Sequence, residues 1–275
     1  MKRFTLIGLK GIVLALYFIV MAFPLYWITI TSLKPQKDIF SVPLQYWPKT
    51  LTLDNYVNIF KISKFHVYFA NSLIVAITAA VIVMIIAILG AYVMARFTFR
   101  GHRQIMLAFF ATQMLPGFIS LAPLYLMMSD MQLINNRFSL VLMYTVTLIP
   151  FSTIMLRGFF QRIPSSLEEA AMIDGCSRFT ALLRIIMPVM LPGIASTFIF
   201  AFVQNWNELF LAVMFIDSEP LKTLPVAMNS FILKFDVNWG AMSAGTVLSV
   251  IPTVLLFAIA QKFIVSGLTQ GAEKG

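Results

Sequence analysis

"SLIVAITAAVIVMIIAILGAYVMA", Ser72 to Ala95, carries no charged side chain and is long enough to cross the hydrocarbon core of a bilayer, which takes about 20 apolar residues in a helix. Inside lipid an unpaired backbone N–H or C=O is so costly that a spanning segment either bonds to itself as a helix or closes with neighbours into a barrel. Barrel strands are about half this length and alternate apolar with polar residues, which this stretch does not. Five more runs read the same way: Ile12 to Thr31, Ile105 to Met128, Phe138 to Leu156, Gly193 to Phe215 and Ala241 to Ala260. Glu208, in the fifth run along the chain, is the one charged residue among all six. The fold class expected is all-α: a polytopic membrane protein with six transmembrane helices, forming one membrane domain over residues 1–275.

Composition agrees. The chain is 60% hydrophobic and 11% charged, against about 25% charged residues in a soluble domain. A net charge of +9 raises the question of nucleic acid, but the basic residues lie between apolar runs instead of clustering on one face, so the partner expected is membrane lipid, not nucleic acid. Cys176 is the single cysteine, which excludes an internal disulfide, and His66 and His102 lie too far apart to make a local metal motif. The spans hold no paired carboxylates and no nucleophile with a base, so no catalytic residue is assigned and no enzymatic activity is expected. No G-x4-G-K-[ST] phosphate loop occurs, so the chain is not itself an ATPase. Repeats at a period of 20 to 50 residues and low-complexity segments are absent. Lys2, Arg3 and Lys10 precede the first apolar run in the manner of a signal peptide, but that run is too long for one and lacks a small-x-small cleavage site, so it reads as an uncleaved first span.

Orientation follows from the short loops. With the N-terminus in the cytoplasm, 12 of the 20 Lys and Arg residues fall inside and 8 outside. "RFTFRGHR", Arg96 to Arg103, is strongly basic, whereas "SDMQLINNR", Ser129 to Arg137, is nearly neutral. Short loops carry the positive-inside signal most faithfully, which places both termini in the cytoplasm.

The cytoplasmic stretch 157–192 has helix signals written into it. In "RIPSSLEEAAMIDG", Ser165 or Ser166 is placed to cap a helix, with Glu168 or Glu169 completing a capping box, and Gly175 is placed to end it in a left-handed conformation. A second helix starts near Ser177, with Phe179, Leu182, Leu183 and Ile186 on one apolar face, and Pro188 and Pro192 stop it before the next span. Two short helices fastened at each end to a span form either a rigid bracket that transmits a push or an inert connector.

Glu169-Ala170-Ala171, Asp174-Gly175, Ile185 and Pro188 keep the spacing EAA-x2-DG-x9-I-x2-P, and this run resembles the EAA loop of permease subunits of ATP-binding-cassette importers. Cys176 and Met187 are mild departures, where alanine and leucine are usual. "NSL" at Asn71 to Leu73, "WNELF" at Trp206 to Phe210, "TLPVAM" at Thr223 to Met228, "WG" at Trp239-Gly240 and "FIVSGLTQGAEKG" from Phe263 to Gly275 look like the carbohydrate subfamily, and the tail and "TLPV" like the smaller permease of maltose-type systems. The resemblance implies a type I importer (MetI-like) permease fold in a bacterial inner or plasma membrane. It implies as partners a second homologous permease, two ATPase subunits that hold ATP and Mg2+, and an extracytoplasmic binding protein that delivers a sugar; no cofactor or metal is bound by this chain.

For site residues, the resemblance implies that the EAA loop docks in a groove of the ATPase, through Glu168, Glu169, Ala170, Ala171, Asp174, Gly175, Ile185 and Pro188. Glu169 and Asp174 would offer polar contacts, and Ala170, Ala171 and Gly175 would keep the face slim. The tail residues Gly267, Leu268, Thr269, Gln270 and Gly271 read unaided as a disordered end; the resemblance makes them an extension along the ATPase dimer. Gln204, Asn205, Trp206, Asn207 and Glu208, with Gln113, are the candidate substrate path. Gln204 and Glu208 share a helical face with Thr197 and Ala201, and either line a sugar path, with Trp206 covering a sugar's apolar face, or make a structural contact between helices. Gln113, Pro116 and Pro123 point to a bent third span. The outer loop from Ile216 to Gly240 either meets the binding protein or packs on the membrane through Met228, Phe231, Ile232 and Phe235. Rival readings are a permease for a non-carbohydrate substrate, which would lack this tail, and a secondary transporter, which would need more intramembrane charge.

Overall fold

The computed structural model describes the backbone of residues 2–62, 64–232 and 238–272. In chain order its helices are α1 (Lys2–Ser32), α2 (Gln36–Ile39), α3 (Asp54–Ile62), α4 (Phe65–Arg96), α5 (His102–Met114), α6 (Leu121–Asp130) and α7 (Arg137–Phe160). There follow α8 (Ser166–Ile173), α9 (Arg178–Ala181), α10 (Met187–Val189), α11 (Leu191–Trp206), α12 (Phe210–Phe215), α13 (Leu224–Ile232) and α14 (Trp239–Ala272). No strand occurs among the described residues. Among the described residues four helical stretches are long and apolar enough to cross a membrane unbroken: Leu9–Ser32, Phe65–Arg96, Arg137–Phe160 and Trp239–Phe263. The third span expected from the sequence is instead a bent pair, His102–Met114 with Gly117–Asp130 at 96°; the fifth is divided into α11 and α12 at residues 207–209, and α11 itself meets Arg178–Val189 at 81° across Met190.

The break at Leu115 and Pro116 has a local cause. Leu115 is extended (φ −79, ψ 125) because Pro116 follows it and disfavours the helical region at the residue before. A 3-10 turn, Gly117–Ser120, then leads into α6. Pro123 falls in the first turn of α6, where its missing N–H would have had no partner anyway. The bend expected from Gln113, Pro116 and Pro123 is therefore a full break, placed by Pro116 alone. Pro24, Pro150 and Pro252 remain inside continuous helices.

Two compact units partition the chain, Met1–Val67 with Ala227–Ile251, and Tyr68–Val226 with Pro252–Gly275. In the first, Asn55 is buried and its amide donates to the carbonyls of Ser32 at 2.9 Å and Lys34 at 2.8 Å, closing the end of α1 onto α3. The "WG" pair is explained there: a Cβ on Gly240 would meet the Asn55 side chain at 2.3 Å, while its N–H donates to Gln36 at 3.2 Å. Side chains of α1 from Leu9 to Val20 are all exposed, which suits a helix facing lipid or a partner.

In the second unit one core cluster joins Val75 and Ala79 of α4 to Leu140 and Tyr144 of α7 and Ala212 and Phe215 of α12. Another joins Met84, Ala87 and Tyr92 of α4 to Leu156 and Phe160 of α7 and to Leu182 and Ile186. Two motifs of the sequence reading meet at the loop after α12. Asn71 donates to the carbonyls of Pro220 and Lys222, both at 2.9 Å, and accepts from Arg137 at 2.9 Å. Ser72 accepts the N–H of Leu224 at 2.7 Å, so "NSL" anchors "TLPV". Phe235, in the outer-loop reading, lies outside the described residues.

Candidate functional site

The stretch with the EAA spacing forms a helix, a glycine turn and a second helix. α8 ends in a complete Schellman motif: the N–H of Cys176 donates to the Ala171 carbonyl at 2.9 Å and that of Gly175 to Met172 at 3.1 Å. Gly175 has φ +86, the left-handed conformation this closure requires, and open space around its α-carbon. The expected capping box is not formed. Ser165 already has helical dihedrals (φ −62, ψ −25) and makes no cap bond through its side chain.

Glu168 is drawn into the protein instead. It is 8% exposed, accepts from Arg96 Nε at 2.6 Å and from the Tyr92 hydroxyl at 3.2 Å. Arg96 spends a second donor on the carbonyl of Ile163 at 2.9 Å. A buried carboxylate is tolerated when it is paired and hydrogen-bonded in this way. Ala171 is likewise buried. Two of the residues assigned to the docking face, Glu168 and Ala171, therefore face the chain's own core; Glu169, Ala170, Asp174 and Gly175 are exposed.

The second helix starts where expected, with Ser177 accepting the N–H of Thr180 at 3.2 Å. Its apolar face differs from the simple helical one. Leu182 to Ile186 form a π turn, with the N–H of Met187 reaching the carbonyl of Leu182, because Pro188 has no N–H with which to continue an α-helical ladder. The wider turn buries Leu182 and Ile186 and leaves Phe179 59% and Leu183 45% exposed. Pro188 does not stop the helix, which continues to Val189. Ile185 is half-buried and Pro188 exposed. Ile173 at 86% and Phe179 thus present apolar surface beside the exposed acids, and Arg178 lies over the Phe97 ring at 5.1 Å.

The polar cluster of the fifth span is rearranged by the end of α11 at Trp206. Asn207 terminates the helix, its N–H and its side-chain amide both donating to the Val203 carbonyl, at 3.1 and 2.9 Å. Glu208, beyond the end, accepts the N–H groups of Leu211 at 3.0 Å and Ala212 at 3.2 Å and so caps α12. The Tyr144 hydroxyl donates to the same carboxylate at 3.0 Å. Glu208 consequently lies off the face of Thr197 and Ala201; the buried stripe runs through Gly193, Thr197, Ala201 and Asn205, and Gln204, a turn beyond Ala201, is exposed. Trp206 is also unavailable to cover a sugar: it is 3% exposed, stacked on Phe202 and edge-on to Phe69 at a centroid distance of 5.4 Å.

A cavity of about 380 Å³ lies between the α5–α6 break and the interruption that separates α11 from α12. Gly117, Phe118 and Ser120 from the α5–α6 break, Thr147 from α7, and Glu208 and Phe210 from the α11–α12 interruption line it. Of the candidate path residues, Glu208 alone is in this lining; Gln113 is exposed on α5 beside Thr112. Ser120, Thr147 and Phe210 were missed in the sequence, where the signal was the Pro116-Gly117 break and the Asn207-Glu208 stop-and-cap pair. In the tail, α14 runs on to Ala272, so Gly267, Leu268, Thr269, Gln270 and Gly271 are helical in backbone; Glu273, Lys274 and Gly275 lie outside the described residues.

Known proteins are similar to this chain in sequence and in fold. The chain is 38% identical to the diacetylchitobiose uptake system permease protein DasC of Streptomyces coelicolor, over 94% of each chain. It is 37% identical to the sulfoquinovosyl glycerol transport system permease protein SmoH of Agrobacterium fabrum, over 92% of this chain and 89% of that one. The trehalose/maltose transport system permease protein MalG of Thermococcus litoralis is 32% identical over 97% and 98% of the two chains. In fold, the chain is similar to a crystal structure of a bacterial ABC transporter that imports the acidic polysaccharide alginate, with a TM-score of 0.82 at 21% identity, covering 95% of this chain and 98% of that one. Residues 87–270 match the model of the binding-protein-dependent transport system inner membrane components, and the chain belongs to that family.

Proposed function

We propose that this chain is a permease subunit of an ATP-binding-cassette importer for a sugar or oligosaccharide. With a second, homologous permease it forms the translocation path. An extracytoplasmic binding protein delivers the substrate, and two ATPase subunits, which hold the ATP and Mg2+, drive the cycle; this chain is non-catalytic. Both termini lie in the cytoplasm, residues 157–192 are the coupling loop, and 263–275 are a cytoplasmic tail.

The observation that carries this reading is the exposed, capped turn at Glu169, Ala170, Asp174 and Gly175, flanked by the apolar surface of Ile173 and Phe179. Its conformation is fixed by the Schellman closure and by the Arg96–Glu168 pair, so it presents a preformed face to a partner. The carbohydrate specificity is supported by the relatives, whose names cover diacetylchitobiose, sulfoquinovosyl glycerol and trehalose or maltose. The cavity between the two helix breaks supports a path at this place, since discontinuous helices put polar backbone and side chains next to a binding site within the membrane.

Purification of a tagged chain from its native membrane under mild conditions tests the reading. The expected complex contains a chain with a G-x4-G-K-[ST] loop, a second permease with an EAA loop, and a sugar identified by mass. Recovery of the chain without an ATPase favours a secondary transporter instead, and a bound amino acid or phosphonate a non-carbohydrate importer.

A further inference from the structure

α8 is joined through the chain to α7 on one side and α9 on the other, but its buried polar contact goes to neither. Glu168 bonds to Arg96 and Tyr92, both on α4, which ends far away in sequence. Ala171 is the other buried residue of α8. A single methyl group gives little grip and no direction, so the register of α8 against α4 is set by the ion pair. The pair is itself oriented: Arg96 is held by the Ile163 carbonyl at 2.9 Å, and both charged side chains are about one-tenth exposed, at 11% and 10%.

From this we propose that the Arg96–Glu168 pair locks the EAA turn to the end of α4, making Arg96 and Glu168 positioning residues for the transport stroke. A displacement of the exposed face at Glu169 to Gly175 is then delivered to α4 directly, in addition to the covalent route through α7 and α11. Apolar packing of Leu182 and Ile186 against Met84, Ala87 and Tyr92 holds the second helix of the loop to the same span, but packing of this kind slides more readily than a fixed pair of charged hydrogen bonds. The inference rests on the reading of the loop as the ATPase-facing element.

The decisive variant is Arg96→Met with Glu168→Met, because replacing a buried ion pair by apolar side chains of similar volume commonly leaves folding intact, whereas removing one partner does not. The assembled complex is reconstituted, and its ATPase rate is measured with and without the binding protein, used as purified with the sugar it retains. The expected result is normal assembly, with the ratio of stimulated to unstimulated rate lowered about fivefold or more. Full stimulation in the double variant overturns the proposal, and so does failure to assemble, which would make the pair a requirement of folding. If the wild-type chain brings down no ATPase, the importer reading fails first and the positioning role with it.

Discussion

Tyr144 on α7 donates to Glu208 at 3.0 Å, while the two carboxylate oxygens of Glu208 take the N–H groups of Leu211 and Ala212 at 3.0 and 3.2 Å. An ionised carboxylate offers about four acceptor positions, and three are occupied before any substrate arrives. The acid lines the cavity, yet its geometry is that of a cap and an interhelical tie. Glu208→Gln keeps one acceptor oxygen, and transport should stay within about threefold of wild type, a loss under 1 kcal/mol. Glu208→Ala removes the cap and leaves a buried tyrosine hydroxyl unpaired, and should destabilise the chain by about 1–3 kcal/mol. Thermal unfolding of the purified complex and the substrate KM separate the two roles: a raised KM with unchanged melting would assign Glu208 to substrate instead.

Gly175 has φ +86 and nothing within 4 Å of where a Cβ would lie, so substitution there costs backbone strain and not a clash. Asparagine adopts the left-handed region more easily than other side chains, and a β-branched residue resists it most. Gly175→Asn should therefore retain most coupled transport and Gly175→Val lose it by about tenfold or more, with both proteins inserted, if the turn shifts as strain of about 1–2 kcal/mol predicts. Glu169→Lys, at an exposed position, should leave melting unchanged and uncouple ATP hydrolysis from transport. The measurement is sugar imported per ATP hydrolysed in proteoliposomes.

Lys34, just outside the first span, is 1% exposed; its ammonium donates to the Gln45 carbonyl and lies 4.7 Å from the centre of the Trp27 ring. Burial lowers its pKa from the ordinary 10.5, and Asp38 opposes that in part. With the folded pKa below the unfolded one, the unfolded chain binds more protons between the two values, so stability rises with pH across that window and is fully gained only above 10.5. Melting followed from pH 8 to about 10.5 should show this rise, and Lys34→Met should flatten it. An unchanged slope in the variant would assign the pH dependence to other groups.

The spans were legible because lipid leaves an apolar run no alternative to a helix, and the period of Ser72 to Ala95 or Phe138 to Leu156 needs no tertiary information. The breaks were half legible: Pro116 announces one, while the second depends on Asn207 and Glu208 bonding the backbone at Val203, Leu211 and Ala212, which competes with helix only in three dimensions. The EAA turn was readable at Gly175, whose φ follows from its place in the pattern. The fate of Glu168 was not, since the capping box looks only at neighbours in sequence and Arg96 arrives from another helix. The face of Leu182 and Ile186 shifted for a related reason, a π turn set by Pro188.

Ile173 is 86% exposed, next to Asp174 and Gly175, and is the side chain that should enter the ATPase groove first. Replacement of Ile173 by a photoreactive phenylalanine derivative, followed by irradiation of intact membranes, reports what this turn touches. If the turn docks on the ATPase, the product is a covalent adduct between this chain and the ATPase subunit, identified by mass spectrometry and carrying a G-x4-G-K-[ST] loop. Adducts only with lipid or with this chain itself, in membranes that still transport, would contradict that docking.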